Sequence, residues 1–181
     1  AKDGTIFVST YDGSHTVCIL SADGTITTLA GGEERGFADG RGEAARFFDP
    51  MDLAMGPDGR LYVADAGNHS IRCVDRDGNV STVAGRPWEA GQRRESIDGD
   101  LIVARFNEPC GVAVASDGTI YVGEGDGKRV RQIREGVVST VCRCEGPVRG
   151  LFLDESEGLL YATSGNGIIT VAVETALQAF L

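Results

Sequence analysis

The sequence predicts an all-β chain, one four-stranded unit written four times over. Three observations predict it. The stretches "DGTIFVST" at 3–10, "DGRLYVAD" at 58–65, "DGTIYVGE" at 117–124 and "EGLLYATS" at 157–164 align on their glycines. In each, the residue two past the glycine is aliphatic (Ile6, Leu61, Ile120, Leu160) and the next is aromatic (Phe7, Tyr62, Tyr121, Tyr161). The sixth carries a side-chain oxygen (Thr10, Asp65, Glu124, Ser164). Second, Asp-Gly pairs stand at 3–4, 12–13, 23–24, 39–40, 58–59, 77–78, 98–99, 117–118 and 126–127. Flanked by alternating hydrophobics, such pairs signal hairpins, because the turn needs a positive φ that glycine supplies and aspartate tolerates. Third, no stretch before 170 sustains a helical period of 3.6.

The second copy shows the elements in order. "MDLAM" is an apolar strand, "GPDG" a turn, and "RLYVAD" a strand rich in aromatic and β-branched residues. "AGNH" turns, "SIRCV" alternates, "DRDGN" turns again, and "VSTVAG" closes the unit. Between units the chain repeats itself: "ADGRGEAARFFDPMDLA" at 38–54 and "IDGDLIVARFNEPCGVA" at 97–113 share Asp-Gly, Ala-Arg-Phe and Pro at the same spacing. Each reads as the crossing from the outermost strand of one unit to the innermost strand of the next. A unit that cannot bury its own faces must stack on a copy. The repeats are expected at about 1–47, 48–106, 107–146 and 147–181 of a single domain, with Phe47 and Phe106 buried where each crossing enters the next unit.

A repeating four-stranded unit of this length is the signature of a β-propeller blade. The only Trp, Trp88, is followed by Glu89, which excludes a tryptophan-aspartate repeat. "ARFFDPMDLAMGPDGRLYVADAGNHSIRCVDRDGNVSTVAG" at 45–85 resembles the NHL repeat nearly throughout, and "ARFNEPCGVAVASDGTIYVGEGDGKRVRQI" at 104–133 resembles it less closely. The resemblance implies a propeller of about four antiparallel blades here, out of the six that family rings usually hold. The first repeat lacks an innermost strand, so about fifteen strands are expected. A larger ring is the favoured expectation. A four-bladed closure, or self-association through open blade edges, is the alternative.

Composition sets few limits. The 181 residues are 41% hydrophobic and 24% charged, with formal net charge −10. No apolar run approaches a membrane span, and no membrane partner is expected. The five cysteines keep no fixed repeat position and read as reduced thiols, which slightly favours an intracellular setting.

In such a meander the crossings and the turns joining the second strand to the third share one face. That face carries "YDGSH", "AGNH", "EGDGK" and the long crossings 31–47 and 85–106. Long ordered loops are usually functional. Trp88 with Arg93 and Arg94 on the second crossing, and Phe37 with Arg41 on the first, are the candidate protein-binding residues, being types that dominate interface hot spots. The alternative for Trp88 is an anchor that packs the loop onto its own blade.

Nucleic acid is not expected as a partner, since a phosphate backbone needs a basic face. The basic cluster 128–134 reads as a solvated strand face. Some family propellers bind RNA, and related propellers include lyases and lactonases with zinc or calcium. This chain has only His15 and His69, and His69 fits the structural Asn-His turn. Asp65 and Glu124 read as turn-capping acceptors. Tyr62 and Tyr121 belong to the repeated framework. No catalytic residue, metal ligand or cofactor is assigned. The reading is a protein-interaction scaffold. Its alternative is a hydrolase or lyase whose calcium or zinc site is completed from outside this chain.

Overall fold

A computed structural model describes residues 4–173. Their regular structure is strand, apart from two single 3-10 turns at Gly42–Ala44 and Ala66–Asn68. In chain order the strands are β1 (Ile6–Thr10), β2 (His15–Leu20), β3 (Ile26–Gly32), β4 (Gly40–Arg41), β5 (Pro50–Met55), β6 (Leu61–Asp65), β7 (Ser70–Val74) and β8 (Asn79–Gly85). They continue as β9 (Gly99–Asp100), β10 (Pro109–Val114), β11 (Ile120–Glu124), β12 (Arg129–Arg134), β13 (Val137–Arg143), β14 (Val148–Asp154), β15 (Leu159–Ser164) and β16 (Gly167–Ala172).

They form four antiparallel blades in a β-propeller arrangement: β1–β3, β5–β8, β10–β13 and β14–β16. The first blade has no innermost strand among the described residues. An outermost strand for the fourth would fall at 174–181, outside them. Two short strands go beyond the expected set. β4 pairs with the outer edge of β8, and β9 with that of β13, so each long crossing runs along the next blade's outside before entering its centre.

The hairpins follow from local chemistry. Gly59 and Gly118 take φ of 75° and 87°, and Asp58 and Asp117 each accept the N–H two residues on, from Arg60 and Thr119. Asp39-Gly40 and Asp98-Gly99 correct the expectation drawn from this dipeptide. Neither is a hairpin turn. No alternating strand follows to fold back, and an arginine claims each aspartate instead.

Alternation within β6 and β11 sends Leu61, Val63, Ile120 and Val122 into the inter-blade layers, all at 5% exposure or less. Tyr62 and Tyr121 face the other way. Between the first two blades Val17, Ala30, Leu61, Val63 and Val74 close around Phe47; between the next two, Ile71, Val112, Ile120 and Val122 close around Phe106. Each Phe is fully buried against a glycine at the end of the preceding blade's last strand, Gly31 or Gly85. A Cβ on Gly31 would stand 2.9 Å from Phe47, and one on Gly85 would stand 2.8 Å from Phe106. The twin sentence is therefore a plug and the closing glycine its seat.

Candidate binding face at the crossings

Strand alternation prepares the site. In β7 against β8 the register shifts between Ile71 and Arg72, and in β12 against β13 between Val130 and Arg131. The extra residues, Val83 and Val141, lie in β8 and β13, while β7 and β12 keep plain alternation, which puts Arg72 on the face of Val63 and Arg131 on that of Val122. Here Arg72 and Arg131 are fully buried. Val130 and Ile133 point inward as the strand pattern predicts, but Arg131 is buried as well, which corrects the reading of the basic cluster 128–134 as a solvated face.

Each buried guanidinium fastens a crossing. Arg72 donates to Asp65 (2.9 Å), to Asp39 (2.6 Å) and to the carbonyls of Ala38 and Arg46, and it lies 4.8 Å from the Phe37 ring and 5.2 Å from that of Phe47. Arg131 repeats the pattern with Glu124 (2.8 Å), Asp98 (2.6 Å), the carbonyls of Ile97 and Arg105, and the Phe106 ring at 5.4 Å. Asp65 also accepts from Phe48 N–H and Asn68, while Glu124 accepts from Asn107 N–H and Ser96. Burial pushes the Asp65 carboxyl up to about 6 and raises that of Glu124, with the arginines opposing both shifts. Burial is the largest single influence on Asp39 and Asp98 and works against their ionisation, but Arg72 with Thr82, and Arg131 with Thr140, together hold both carboxyls below their usual range.

Two histidines link neighbouring blades. His15 Nδ1 accepts the N–H of Asp49 at 3.2 Å, and His69 Nδ1 accepts that of Glu108 at 3.0 Å. Accepting there requires a neutral ring, and burial, with Arg94 nearby, lowers the His69 pKa to about 4. Asp49 and Glu108 both take left-handed φ, 52° and 57°, just before the proline that opens an innermost strand. The ring of Phe48 meets His15 edge-on at 5.8 Å; Trp88 meets His69 the same way at 6.4 Å. In the third blade Asn107 stands where the second has Phe48, and Trp88 from the crossing fills the space. Its Nε1–H donates to the Phe106 carbonyl at 3.3 Å. Trp88 is half-buried, with the contacts of a loop anchor.

The other nominated side chains lie on the surface. Phe37 covers Arg72 while remaining 41% exposed. Arg41 reaches the carbonyl of Asp77, Arg93 pairs with Glu95 at 2.9 Å on the surface, and Arg94 reaches a cleft. That half-open cleft of about 320 Å³ lies on the crossing face. Asp49, Met51 and Glu108 line it from the entries of β5 and β10, with Tyr11, His69 and Asp126 from the loops after β1, β6 and β11. Burial, and then the neighbouring Asp126, raise the Glu108 carboxyl. Asp49, Glu108 and Asp126 were not singled out in the sequence. For Asp49 and Glu108 the one signal was the acidic residue before proline in both twin stretches, "FDP" and "NEP", and for Asp126 its place in the "EGDGK" loop of the crossing face. Among the described residues no three His, Cys, Asp or Glu side chains converge as a metal site would require.

The NHL repeat family profile matches residues 49–80. The chain is 29% identical over 136 residues to NHL repeat-containing protein 2 of Gallus gallus, covering 70% of this chain and 18% of that protein. It is 30% identical over 154 residues to Teneurin-m of Drosophila melanogaster, covering 78% of this chain and 5% of the other. Among solved structures it is similar to a gluconolactonase from Xanthomonas campestris, with a TM-score of 0.58 and 19% identity, over 92% of this chain and 47% of that one. The chain thus spans under a fifth of these curated relatives and about half of this structural one.

Proposed function

The chain belongs to the NHL-repeat family, and we propose that it is a binding module that takes a protein partner on its crossing face. One observation carries this reading: both long crossings are fastened from beneath by fully buried arginines, yet leave Arg41, Arg93, Arg94 and much of Phe37 exposed. Ordering a loop before binding removes that entropic cost from association. Arg93, Arg94, Phe37 and Arg41 supply the contacts, and Trp88 holds the second crossing in position. Exchanging Arg93 and Arg94 together for Glu should abolish capture of the native partner in a pulldown and leave the melting temperature within about 1 °C, as for surface changes. Retention of the partner by the double variant would refute the proposal.

A second reading is favoured by one feature, the raised Glu108 carboxyl beside Asp126 in a cleft. Perturbed carboxyl pairs in clefts mark acid–base sites, and the gluconolactonase shares this fold. Calcium or zinc would then be held partly by groups outside the described residues. One tightly bound metal ion per purified molecule would favour that enzyme reading.

A further inference from the structure

The second crossing carries a motif that its fastening does not explain. At 93–96 the chain reads Arg-Arg-Glu-Ser, the one place where paired arginines stand two and three residues before a hydroxyl, and apolar Ile97 follows. Residues 92–96 have no regular structure, and Arg93, Arg94 and Glu95 are exposed. Arg93 pairs with Glu95 across the surface, a contact that costs little to exchange. Two accessible arginines ahead of a hydroxyl suit a protein kinase whose cleft carboxylates hold the guanidinium groups while the hydroxyl meets the γ-phosphate of ATP.

Ser96 is also a latch. Its hydroxyl donates to Glu124 at 2.6 Å, and its carbonyl accepts from Arg129 at 2.9 Å. Glu124 in turn holds Arg131, the guanidinium that fastens the crossing. One blade earlier the equivalent carboxylate, Asp65, takes that donor from the Asn68 amide. The third blade has Gly127 in the place of Asn68, and a Cβ there would stand 2.7 Å from Ser96 Oγ and collide with the Glu124 carboxylate. The site fits a hydroxyl and has no room on that side for a larger group. In the first crossing Phe37 stands in the place of Ser96, two residues before the Asp-Gly pair, so only the second crossing is latched by a group that accepts a phosphate.

We infer that Ser96 is a phosphorylation site whose modification unlatches the second crossing. The γ-phosphoryl group of ATP passes to Ser96 Oγ, its bond to the β,γ-bridging oxygen breaks, the hydroxyl proton goes to the catalytic base of the kinase, and ADP leaves. Phosphoserine has no hydrogen to give Glu124, and it sets a charge between about −1.5 and −2 beside that carboxylate. Glu124 is fully buried, and Arg131 already shares its charge among four acceptors. Repulsion and crowding against Gly127 both drive residue 96 outward, and the Arg129 bond to its carbonyl breaks with it. Loss of the partner on phosphorylation rests on Arg93 and Arg94 being partner contacts, whereas the modification and the release do not.

The test incubates the whole chain with magnesium ATP and the catalytic subunit of the cyclic-AMP-dependent protein kinase, which reads paired arginines. Mass spectrometry of peptides then locates the phosphate, and hydrogen exchange follows the crossings. The expected result is one phosphate per chain, on Ser96, with amides from 96 to 105 exchanging at least tenfold faster than before modification and those from 38 to 46 unchanged. Exchanging Arg93 and Arg94 together for Ala should cut the initial rate of phosphorylation at least tenfold. No phosphate on Ser96 of the wild type, or an undiminished rate in the double variant, overturns the site. A phosphorylated Ser96 with exchange along 96–105 unchanged or slowed overturns the unlatching, and slowing would mean that the phosphate pairs with Arg129 instead. The partner reading fails separately, through the Arg93 and Arg94 pulldown, since no partner is present here.

Discussion

The second and third blades cross over at length, whereas the fourth is reached by the short segment 144–147. One position fastens the crossing in every case. In the long crossings it is Asp65 or Glu124, paired with a buried arginine that reaches back to Asp39 or Asp98. In the short one it is Ser164, whose hydroxyl joins the N–H and carbonyl of Gly146 at 3.3 and 3.2 Å. The residue opposite Ala162 is then Ile169, where the other blades pair Val63 with Arg72 and Val122 with Arg131. A short link is held by one hydroxyl. A long link brings more backbone carbonyls inside, and each guanidinium takes two of them while also holding two carboxylates. The number of contacts that fasten a crossing therefore rises with its length.

The sharpest way to break this comparison is to remove a guanidinium. Arg131→Ala leaves Glu124 buried without its partner and should cost about 3 to 5 kcal/mol in a denaturant titration, whereas Ser164→Ala should cost less than about 1. Similar losses at the two positions would mean that the fasteners are not graded. Removing the plugs comes next: Phe47→Ala and Phe106→Ala should each lose about 3 to 5 kcal/mol, as buried phenylalanines do. A loss below about 1 kcal/mol at either would show that the twin sentence is not a plug.

Smaller effects sharpen the contrast between blades two and three. Trp88→Ala should cost about 1 to 3 kcal/mol by opening space beside His69, and adding Asn107→Phe should restore part of it, since Phe48 does this work one blade earlier. A melting temperature unchanged by Trp88→Ala would return the indole to the list of binding residues. Last comes pH. His69 is lowered to about 4 when folded and sits near 6.5 when unfolded, so the unfolded chain binds the extra proton between those values. Its contribution is complete above pH 6.5 and is lost as pH falls towards 4. Wild type should therefore lose about 2 to 3 kcal/mol more than His69→Asn across that window. Parallel stability curves for the two proteins would contradict the neutral acceptor role.

The propeller was legible because its cues are local. A glycine, an aliphatic residue and an aromatic residue at fixed spacing declare each second strand, and Phe47 and Phe106 announce themselves by repetition. Asp65 and Glu124 were visible as a position that keeps its oxygen. Their partners were not, because a lone arginine in an alternating strand such as "SIRCV" looks solvent-facing until stacking and the crossing cover that face of the blade. Asp39 and Asp98 were masked by the same economy: Asp-Gly signals a hairpin locally, and only a distant guanidinium makes it a clasp. The cleft was legible as a face but not as residues, since Tyr11, Asp49, Glu108 and Asp126 meet only after the blades stack.

Hydrogen exchange along the two crossings reads out whether each arginine fastens its own crossing. The variant that combines Glu124→Gln with Arg131→Met removes the charge pair without stranding either group. Amides from 96 to 105 should then exchange at least tenfold faster while those from 38 to 46 keep their protection. Crossings that are unprotected already in the wild type, or that lose protection together, would contradict it.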